Sequence, residues 1–232
     1  MSNKKHQDYI YLKEDYYSNP KESFEFIKDI LCKKYDTPSI LDLGCARGEL
    51  LYYLKKNVEY KKLVGIDYSD KLINEAKKFK GLEGVDFEVA SADNFNLDTR
   101  FDIIIMSGVL SYFDDINKVF KCMKNHLKAK GEIIIFGFFN EYDVDLQVKY
   151  RNNKYFNNFE NGWNMHSIIT IAKELKKIGL VIKNHKKFTL SFKSEKQDDP
   201  CRAWNIQTED GIKFTNGLNF IYDMSAIEII NI

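Results

Sequence analysis

The chain has 232 residues, of which 44 % are hydrophobic and 30 % charged, and its formal net charge at pH 7 is +1. This length suits one large domain with a core of its own, and the near-zero net charge argues against a nucleic-acid or anionic-membrane partner. No apolar run approaches the roughly 20 residues of a membrane span, and the first residues lack the apolar segment of a signal peptide. We therefore expect a cytoplasmic protein that has no membrane partner.

Cysteine spacing bears on metals and on redox compartment. The four cysteines, Cys32, Cys45, Cys122 and Cys201, are scattered along the chain. They form no CxxC pair and no cysteine–histidine cluster with the spacing of zinc ligands. We expect reduced thiols and no metal site.

Helices and strands alternate over the first 138 residues. Asn19-Pro20 is typical of a helix start, and apolar residues at helical spacing follow it. The predicted helices are about 21–34, 49–56, 70–79 (capped by Ser69) and 116–130 (capped by Asp114 or Asp115 and closed by Gly131), and the predicted strands are 39–45, 62–68, 85–93, 101–110 and 132–138. The strands are almost continuously apolar, which is typical of a parallel sheet covered on both faces. The sequence predicts a doubly wound α/β fold.

The pattern changes after Phe138, where the chain becomes polar and aromatic. The elements predicted there are an insertion or lid at about 139–165, a helix capped by Ser167 and ending near Gly179, a strand at 180–192, a hairpin extension at about 195–222 and a last strand at 225–232. Asp210-Gly211 is the turn signal of the hairpin. No linker separates these parts, so residues 1–232 are predicted to form a single domain.

The stretch ILDLGCARGELLYYL, Ile40 to Leu54, joins the first predicted strand to its helix. Gly44 and Gly48 lie at that turn, where glycine permits a tight bend and lets a ligand approach backbone N–H groups at a helix start. Ligands of doubly wound sheets bind beyond the carboxyl ends of the strands. A tight turn without any ligand explains a lone pair of glycines equally well.

Acidic residues near consecutive strand ends favour a ligand. Asp67 follows the glycine loop by about 20 residues, the position from which a carboxylate accepts both hydroxyls of a ribose. Asp93 ends the third predicted strand, where it is placed to meet the exocyclic amine of an adenine. Asp42 lies within the first strand, where a buried carboxylate needs donors such as loop amides. Three such acids in register with the loop are not easily accidental.

LDLGCARGELL, VGIDYS, SADNF, FDIIIMSGVLSYF and HLKAKGEIII together resemble the motifs of class I S-adenosylmethionine-dependent methyltransferases. The resemblance covers residues 20–140 well and the remainder more loosely. It implies a Rossmann-like seven-stranded, mostly parallel sheet of order 3-2-1-4-5-7-6 with strand 7 antiparallel, and S-adenosyl-L-methionine as the cofactor. A nicotinamide dinucleotide is the weaker interpretation, because G-C-A-R-G lacks the second glycine of G-x-G-x-x-G.

The resemblance also assigns cofactor contacts. They are Asp42 and Gly48 in and after the first strand, Gly44, Cys45 and Ala46 along the methionine part, Asp67 on the ribose hydroxyls, Tyr68 on the adenine face, Asp93 and Asn94 at the adenine edge, and Ser107 and Gly108 beneath the methionine and sulfonium. Ala46 replaces the usual middle glycine of the loop, and we expect it in the αR or β region, where a methyl group is tolerated. Cys45 is expected to be a small packing residue, and Tyr16 and Tyr17 are candidates to close over the cofactor.

The methyl acceptor is constrained mainly by exclusion. The chain has no D/N-P-P-Y signature of nucleic-acid amine methylation, no cysteine placed as the nucleophile of a cytosine enzyme and no acidic pattern of metal-dependent catechol enzymes. A small-molecule, glycan or nucleotide-linked acceptor remains, with no nucleic-acid partner. The C-terminal third is similar to methyltransferases of bacterial capsule and lipopolysaccharide loci, some of which act on sugar hydroxyls and others on phosphate-type substituents such as O-methyl phosphoramidate.

Five residues are candidates for the acceptor site. His166 and Tyr112 are candidate catalytic bases, Trp163 is a candidate pocket wall, and Lys149 and Arg151 could hold a phosphorylated or nucleotide-linked acceptor. Each also has a structural interpretation: the histidine as a hydrogen-bonder at a helix start, the aromatic residues as packing, and the cations as solvated surface.

Two functions stay open, an active methyltransferase that is a monomer or homodimer, and a cofactor-binding partner subunit that is catalytically inactive. The need for a base depends on the acceptor. A sugar hydroxyl has a pKa far above neutrality and requires one, whereas a phosphate-type oxygen is already ionised.

Overall fold

The computed structural model describes residues 8, 11–31, 35–154, 158–196, 199 and 201–232. Its helices are α1 (Glu22–Leu31), α2 (Glu49–Asn57), α3 (Asp70–Lys78), α4 (Ile116–His126) and α5 (Ile168–Lys176). Its strands are β1 (Ser39–Leu43), β2 (Lys62–Asp67), β3 (Asp86–Val89), β4 (Phe101–Ser107), β5 (Leu127–Gly137), β6 (Lys149–Tyr150), β7 (Glu160–Asn161), β8 (Leu180–Phe188), β9 (Trp204–Thr208), β10 (Gly211–Thr215), β11 (Ile221–Tyr222) and β12 (Met224–Asn231).

Seven strands form the central sheet, in the order β3-β2-β1-β4-β5-β12-β8. Neighbours from β3 to β5 run parallel, and β12 is antiparallel to both β5 and β8. With β8 and β12 counted as strands 6 and 7, this is the predicted order with strand 7 antiparallel, so the Rossmann-like fold is confirmed. The carboxyl ends of the parallel strands meet at one edge, where such sheets bind ligands.

Helices cover both faces of this sheet because each carries one apolar stripe. Residues of α4 and α5, such as Phe120 and Leu175, pack on one face, and residues of α1 and α2, such as Ile27 and Leu51, pack on the other. All five residues of β1 are buried between the two layers. Burying each large apolar side chain contributes roughly 1.5–3 kcal/mol to the stability of the fold. This packing fixes the strand ends that carry the candidate site.

The helix caps predicted at Ser69, at Asp114 or Asp115 and at Ser167 are confirmed, whereas α1 begins at Glu22, two residues after Pro20. The side chains of Ser69, Asp115 and Ser167 each accept a hydrogen bond from a backbone N–H two or three residues further on. Of the two candidates for the start of α4, the structure selects Asp115 over Asp114. Each cap satisfies a donor that the first helical turn leaves unpaired, which is worth about 1 kcal/mol.

The predicted boundary between α4 and β5 is wrong. The helix ends at His126 and the strand begins at Leu127, whereas the sequence predicted a helix closed by Gly131. Leu127 pairs with Phe101 of β4, and a register shift separates that pair from the next one. Pairing with β4 therefore places Leu127 in a strand, although its spacing continues the apolar stripe of the helix.

The third strand is shorter than predicted, since β3 ends at Val89. Asp93 consequently lies in a turn, closed by a hydrogen bond of 2.9 Å from the Asn94 N–H to the Ser91 carbonyl. The acid still follows the strand on the carboxyl side, but it is not part of it.

The last third of the chain forms two small sheets beside the central one. The predicted hairpin is present as β9 and β10, antiparallel with Gly211 opposite Thr208, and β11 adds a third strand. The predicted insertion contains the antiparallel pair β6 and β7. The division of the chain into one domain stays a prediction. No helix in the described part of the chain has both the length and the apolar character needed to cross a bilayer.

Candidate functional site

The loop between β1 and α2 is bent by three residues with positive φ, which are Gly44 (76°), Ala46 (49°) and Gly48 (78°). A Cβ on Gly44 would collide with the Val109 side chain. The expectation that Ala46 occupies the αR or β region is wrong, because the position keeps the left-handed conformation that glycine usually provides. An alanine there is strained by roughly 1–2 kcal/mol, and the surrounding loop has to hold it.

Asp67, at the end of β2, provides that hold. The Ala46 N–H donates to its Oδ2 and the Ser69 N–H to its Oδ1, both at 2.9 Å. Burial raises the pKa of this carboxyl to about 6, although the two amide bonds oppose the rise. Each oxygen of an ionised carboxylate accepts two hydrogen bonds, so both retain capacity for the hydroxyls of a ribose.

Two more buried acids lie beneath the loop. Asp42 and Glu49 are only 2 % and 3 % exposed. Burial, with the charges of Asp67 and Glu49 adding to it, raises the pKa of Asp42 to about 8. Burial also raises the pKa of Glu49, which the Arg47 guanidinium partly opposes from 3.0 Å. Three acids in one low-dielectric region raise the free-energy cost of ionising one another, and a bound cation would lower that cost.

Cys45 packs into the core. Its side chain is buried against the backbone of Gly65, and its N–H donates to the Ile66 carbonyl at 3.0 Å. Burial raises the pKa of the thiol, so the sulfur is neutral. The packing role predicted for Cys45 agrees with this geometry, and Cys32 lies outside the described residues.

The segment after β4 leaves open space beside the loop. Ser107 is the last residue of β4, and Gly108 has a φ of 71° with no atom within 4 Å of the position that a Cβ would take. Tyr68, after β2, is 47 % exposed. Asp93 and Asn94 follow β3 in their turn, with Asp93 accepting from the Ser91 hydroxyl at 2.5 Å. The carboxyl ends of neighbouring parallel strands thus bring the glycine loop, Asp67, Tyr68, Ser107 and Gly108 to one edge, while Asp42 and the Cys45 side chain are buried behind it.

A segment that precedes α1 lies against this edge. The carboxylate of Asp8 accepts from the Ser69 hydroxyl at 2.8 Å and from the Tyr68 hydroxyl at 3.4 Å. Burial raises the pKa of Tyr11, and the charges of Tyr112, Glu49 and Asp67 add to the rise.

Further contacts hold that segment in place. The Tyr17 hydroxyl donates to the Arg47 carbonyl. Arg202 contacts the Glu14 carboxylate at 2.5 and 2.7 Å and the Tyr16 hydroxyl at 2.8 Å. Sequence reasoning named the two tyrosines and missed Glu14 and Arg202, because no spacing links residues so far apart in the chain.

On the acceptor side, Tyr112 ends a short 3₁₀ turn after β4. Its ring borders Gly162, whose missing Cβ would stand 3.3 Å from Tyr112 Cε1 and 3.1 Å from Tyr150 Cε1. Burial raises the pKa of the Tyr112 phenol, with Tyr150 as the next cause. The phenol is therefore protonated at neutral pH, which disfavours a role as base and suits one as wall.

His166 joins the insertion to the turn after β4. Its Nε2 lies 3.0 Å from the Phe113 carbonyl, an acceptor, so this nitrogen carries the proton. Burial lowers the pKa of the imidazole, which is neutral at pH 7. These features fit the structural interpretation of His166, and a catalytic role would have to use Nδ1. The assignment of a base stays a prediction.

Lys149 and Arg151 are not brought to Tyr112. Both are exposed, and they alternate with the buried Tyr150 along β6, so they face away from the side that Tyr150 shares with Gly162. The Arg151 guanidinium lies 5.1 Å from the centre of the Phe159 ring.

An aromatic cluster lies at the end of β5, and of its members the sequence predicted only Trp163 as a pocket residue. Trp163 stacks on Phe138 with ring centres 5.4 Å apart, Phe138 lies 4.9 Å from Tyr222, and Tyr222 lies 6.1 Å from Phe214. We call these four rings the aromatic wall. Trp163 was expected to line a pocket, but the two hairpin residues had no local signal. Across the described residues, no group of three or more His, Cys, Asp or Glu side chains is arranged to hold a metal.

The sequence profile described as "Methyltransferase domain" matches residues 36–197. The chain belongs to this methyltransferase family. The malonyl-[acyl-carrier protein] O-methyltransferase of Bacillus anthracis is 24 % identical to it over 151 residues, which cover 63 % of this chain and 56 % of that protein. Similar curated relatives are covered over 36 % to 56 % of their own length, so the chain spans about half of them or less.

Solved structures of methyltransferases share the fold. An S-adenosylmethionine-dependent methyltransferase from Clostridium acetobutylicum superimposes with a TM-score of 0.61 at 18 % identity, covering 97 % of this chain and 96 % of the other. The glycopeptide N-methyltransferase MtfA in complex with S-adenosyl-L-homocysteine gives a TM-score of 0.62 at 11 % identity, covering 92 % and 91 %. Family and fold agree in the cofactor that they imply, S-adenosyl-L-methionine.

Proposed function

We propose that this methyltransferase transfers the methyl group of S-adenosyl-L-methionine to an oxygen of a small-molecule, glycan or nucleotide-linked acceptor. The observation that carries the cofactor half of this proposal is the buried Asp67 carboxylate, which holds the Ala46 and Ser69 amides and keeps acceptor capacity for a ribose. Oxygen as the acceptor atom is supported by the name of the Bacillus anthracis relative, an O-methyltransferase. Sugar or phosphoramidate-type substituents of bacterial surface polysaccharides are acceptors of this class, as the resemblance of the C-terminal third suggests.

The residues present fit this cofactor. Gly108 supplies backbone without a side chain, at positive φ and with open space beside it, so a ligand can approach closely. Asp67, with a pKa of about 6, is ionised at neutral pH and supplies a negative charge, and the cofactor carries an ammonium and a sulfonium. When bound, S-adenosyl-L-methionine supplies a methyl group on a cationic sulfur. An acceptor oxygen bonds to the methyl carbon as the sulfur leaves.

The chain's own contribution to this reaction is positioning. Holding two reactants in line is worth several kcal/mol, and the open segment at Gly108, with Tyr112 beside it, provides a place where an acceptor can lie. His166 engages the Phe113 carbonyl with Nε2, and burial raises the pKa of Tyr112, so neither is well prepared to take a proton. We therefore propose an acceptor oxygen that is ionised before transfer, with His166 and Tyr112 as positioning residues. A sugar hydroxyl with His166 as its base is the alternative.

Turnover tests the proposal and separates it from an inactive partner subunit. Purified protein is incubated with S-adenosyl-L-methionine and a panel of carboxylates, phosphate-type compounds and nucleotide-linked sugars, and S-adenosyl-L-homocysteine is quantified by mass spectrometry. We expect product only with an acceptor that carries an ionised oxygen. Product with hydroxyl acceptors alone would contradict the ionised-oxygen assignment. Tight cofactor binding with no product from any acceptor would favour the inactive partner subunit.

A further inference from the structure

Three buried polar groups lie near the aromatic wall without a hydrogen-bond partner among the described residues. They are Trp163 Nε1, Asn216 Nδ2 and the Tyr222 hydroxyl. Asn216 is 1 % exposed and Tyr222 5 % exposed, so bulk water does not satisfy them. Native proteins leave few buried polar groups unpaired, and each such group calls for an explanation.

The three groups share one surface. Trp163 and Tyr222 belong to the aromatic wall, with ring centres 6.3 Å apart. Phe214 pairs directly with Tyr222 across β10 and β11, and Asn216 follows Phe214 by two residues. Asn216 is the first residue after β10, in the turn that leads to β11, so it lies next to the paired residues Phe214 and Tyr222.

This surface adjoins the place where an acceptor must lie. Phe138, on which Trp163 stacks, follows directly after β5, and Gly162, the neighbour of Trp163, packs against Tyr112 after β4. The open backbone at Gly108 belongs to the same edge of the sheet. The unpaired groups therefore lie on the side of β4 and β5, away from Asp67 on β2.

Trp163 shows a second departure from ordinary structure. Its φ is 63°, in the left-handed region that a bulky residue rarely adopts. Such a conformation persists only where its surroundings hold it, and it is concentrated at ligand sites. Here the stacking on Phe138 fixes the indole in place.

The chemistry of the three groups selects a ligand class. The Trp163 indole only donates, and the Asn216 Oδ1 already accepts from the Leu218 N–H at 2.9 Å, which leaves its amide N–H groups. The Tyr222 hydroxyl supplies a third donor. The hydroxyl can also accept, but three donors against one acceptor match a group rich in acceptor oxygens better than they match an amine, which mainly donates.

We propose that Trp163 Nε1, Asn216 Nδ2 and the Tyr222 hydroxyl form an acceptor subsite that hydrogen-bonds an oxyanion group, of either the carboxylate or the phosphate type. This inference rests on the proposed function, which it deepens by naming the substrate class. The aromatic wall packs against the apolar part of the same molecule.

The stability of the unliganded protein gives the first test. Tyr222→Phe removes a buried hydroxyl that has no partner and keeps the ring, so we expect the melting temperature to rise by about 2–4 °C. Tyr35→Phe is the matched control, because the Tyr35 hydroxyl donates to the Lys130 carbonyl at 3.2 Å, far from the site. That variant should melt at the same temperature as the wild type or slightly below it. A lower melting temperature for Tyr222→Phe would show that the hydroxyl already has a partner and would overturn the subsite.

Calorimetry on protein saturated with S-adenosyl-L-homocysteine gives the second test. The probes are benzoate, phenyl phosphate, benzylamine and benzyl alcohol, which share a ring and differ in the polar group. We expect benzoate or phenyl phosphate to bind and the amine and alcohol not to bind. Tighter binding of benzoate assigns a carboxylate source, and tighter binding of phenyl phosphate assigns a phosphate source.

Variants connect that binding to the three donors. Tyr222→Phe should weaken the oxyanion probe about tenfold. Asn216→Asp keeps the acceptor for Leu218 but adds a negative charge, so it should weaken binding further. Binding of benzylamine or benzyl alcohol as tight as that of the oxyanions, no binding of either oxyanion, or unchanged affinity in both variants would overturn the subsite. Both variants should bind S-adenosyl-L-homocysteine as tightly as the wild type does. If the wild type itself does not bind S-adenosyl-L-homocysteine, the proposed function is refuted instead.

Discussion

The cofactor side and the acceptor side of the site are each incomplete without a ligand, and they require different chemical groups from it. On the cofactor side, Asp67 satisfies the loop amides, but three acids share one buried region in which ionising each of them is costly. On the acceptor side the incomplete groups are uncharged: three hydrogen-bond donors at the aromatic wall have no partner among the described residues. A cation completes the first side and a set of acceptor oxygens completes the second. The charged side therefore responds to pH, whereas the uncharged side responds to removal of single hydrogen-bonding groups.

The largest expected effect concerns the charge of the cofactor side. Folding raises the pKa of Asp42 from 3.8 to about 8 and that of Asp67 to about 6, so between pH 4 and 8 the folded protein binds more protons than the unfolded chain. Stability is therefore lost as pH rises through this window. Each pKa unit corresponds to about 1.4 kcal/mol, so Asp42 alone contributes an effect on the order of several kcal/mol.

Asp42→Asn isolates this effect, because asparagine resembles the protonated carboxyl. Chemical denaturation of the unliganded protein should give similar stability for both proteins near pH 4 and a growing advantage for the variant toward pH 8. If the free energies of unfolding of the two proteins differ by the same amount at every pH, ionisation of Asp42 does not destabilise the fold. The contrast between the two sides of the site would then be wrong.

Next in size is the loss of the ribose contact. Asp67→Ala should weaken binding of S-adenosyl-L-methionine and S-adenosyl-L-homocysteine by about 2–4 kcal/mol, since it removes a buried pair of charge-assisted hydrogen bonds. Calorimetry measures the affinities, and Asp98→Ala serves as an exposed control. Asp67→Asn keeps one oxygen acceptor and should lie between the two. Equal affinity in wild type and Asp67→Ala would remove the assignment.

Asp93 should have a smaller effect. If its carboxylate accepts from the adenine amine, Asp93→Ala weakens cofactor binding by about 1–1.5 kcal/mol and leaves the melting temperature nearly unchanged. An inosine-type analogue of S-adenosyl-L-homocysteine lacks that donor and should bind poorly to the wild type. Analogue binding as tight as that of the natural product would leave Asp93 as a turn residue bonded to Ser91.

The smallest effect is expected at His166. With an ionised acceptor oxygen, His166→Ala should lower turnover by less than about tenfold, and at saturating S-adenosyl-L-methionine the rate should show no acidic limb between pH 6 and 8. Steady-state rates with the acceptor found in the turnover panel measure both quantities. A loss of roughly 10²–10⁴ with an acidic limb would establish His166 as the base and would replace the oxyanion acceptor by a hydroxyl.

Features whose causes lie within a few residues could be read without the structure. Ser69 and Ser167 were predicted as caps because a capping side chain and its N–H partner are neighbours in the chain. The glycine loop and Asp67 were found because strand, turn and helix follow one another in a fixed unit. The end of α4 was placed too late because Leu127 continues the helical stripe, whereas its strand conformation comes from pairing with Phe101.

The acceptor side had no such local cause. Trp163 lies in the insertion, and Asn216 and Tyr222 lie in the C-terminal strands, so their proximity arises only when these segments pack at the end of β5. Whether a tyrosine hydroxyl or an indole N–H finds a partner depends on every neighbour at once, and no residue spacing encodes that. Hydrophobic period and turn chemistry thus specified the sheet and its cofactor edge, while long-range packing alone determined which donors remain unpaired for the acceptor.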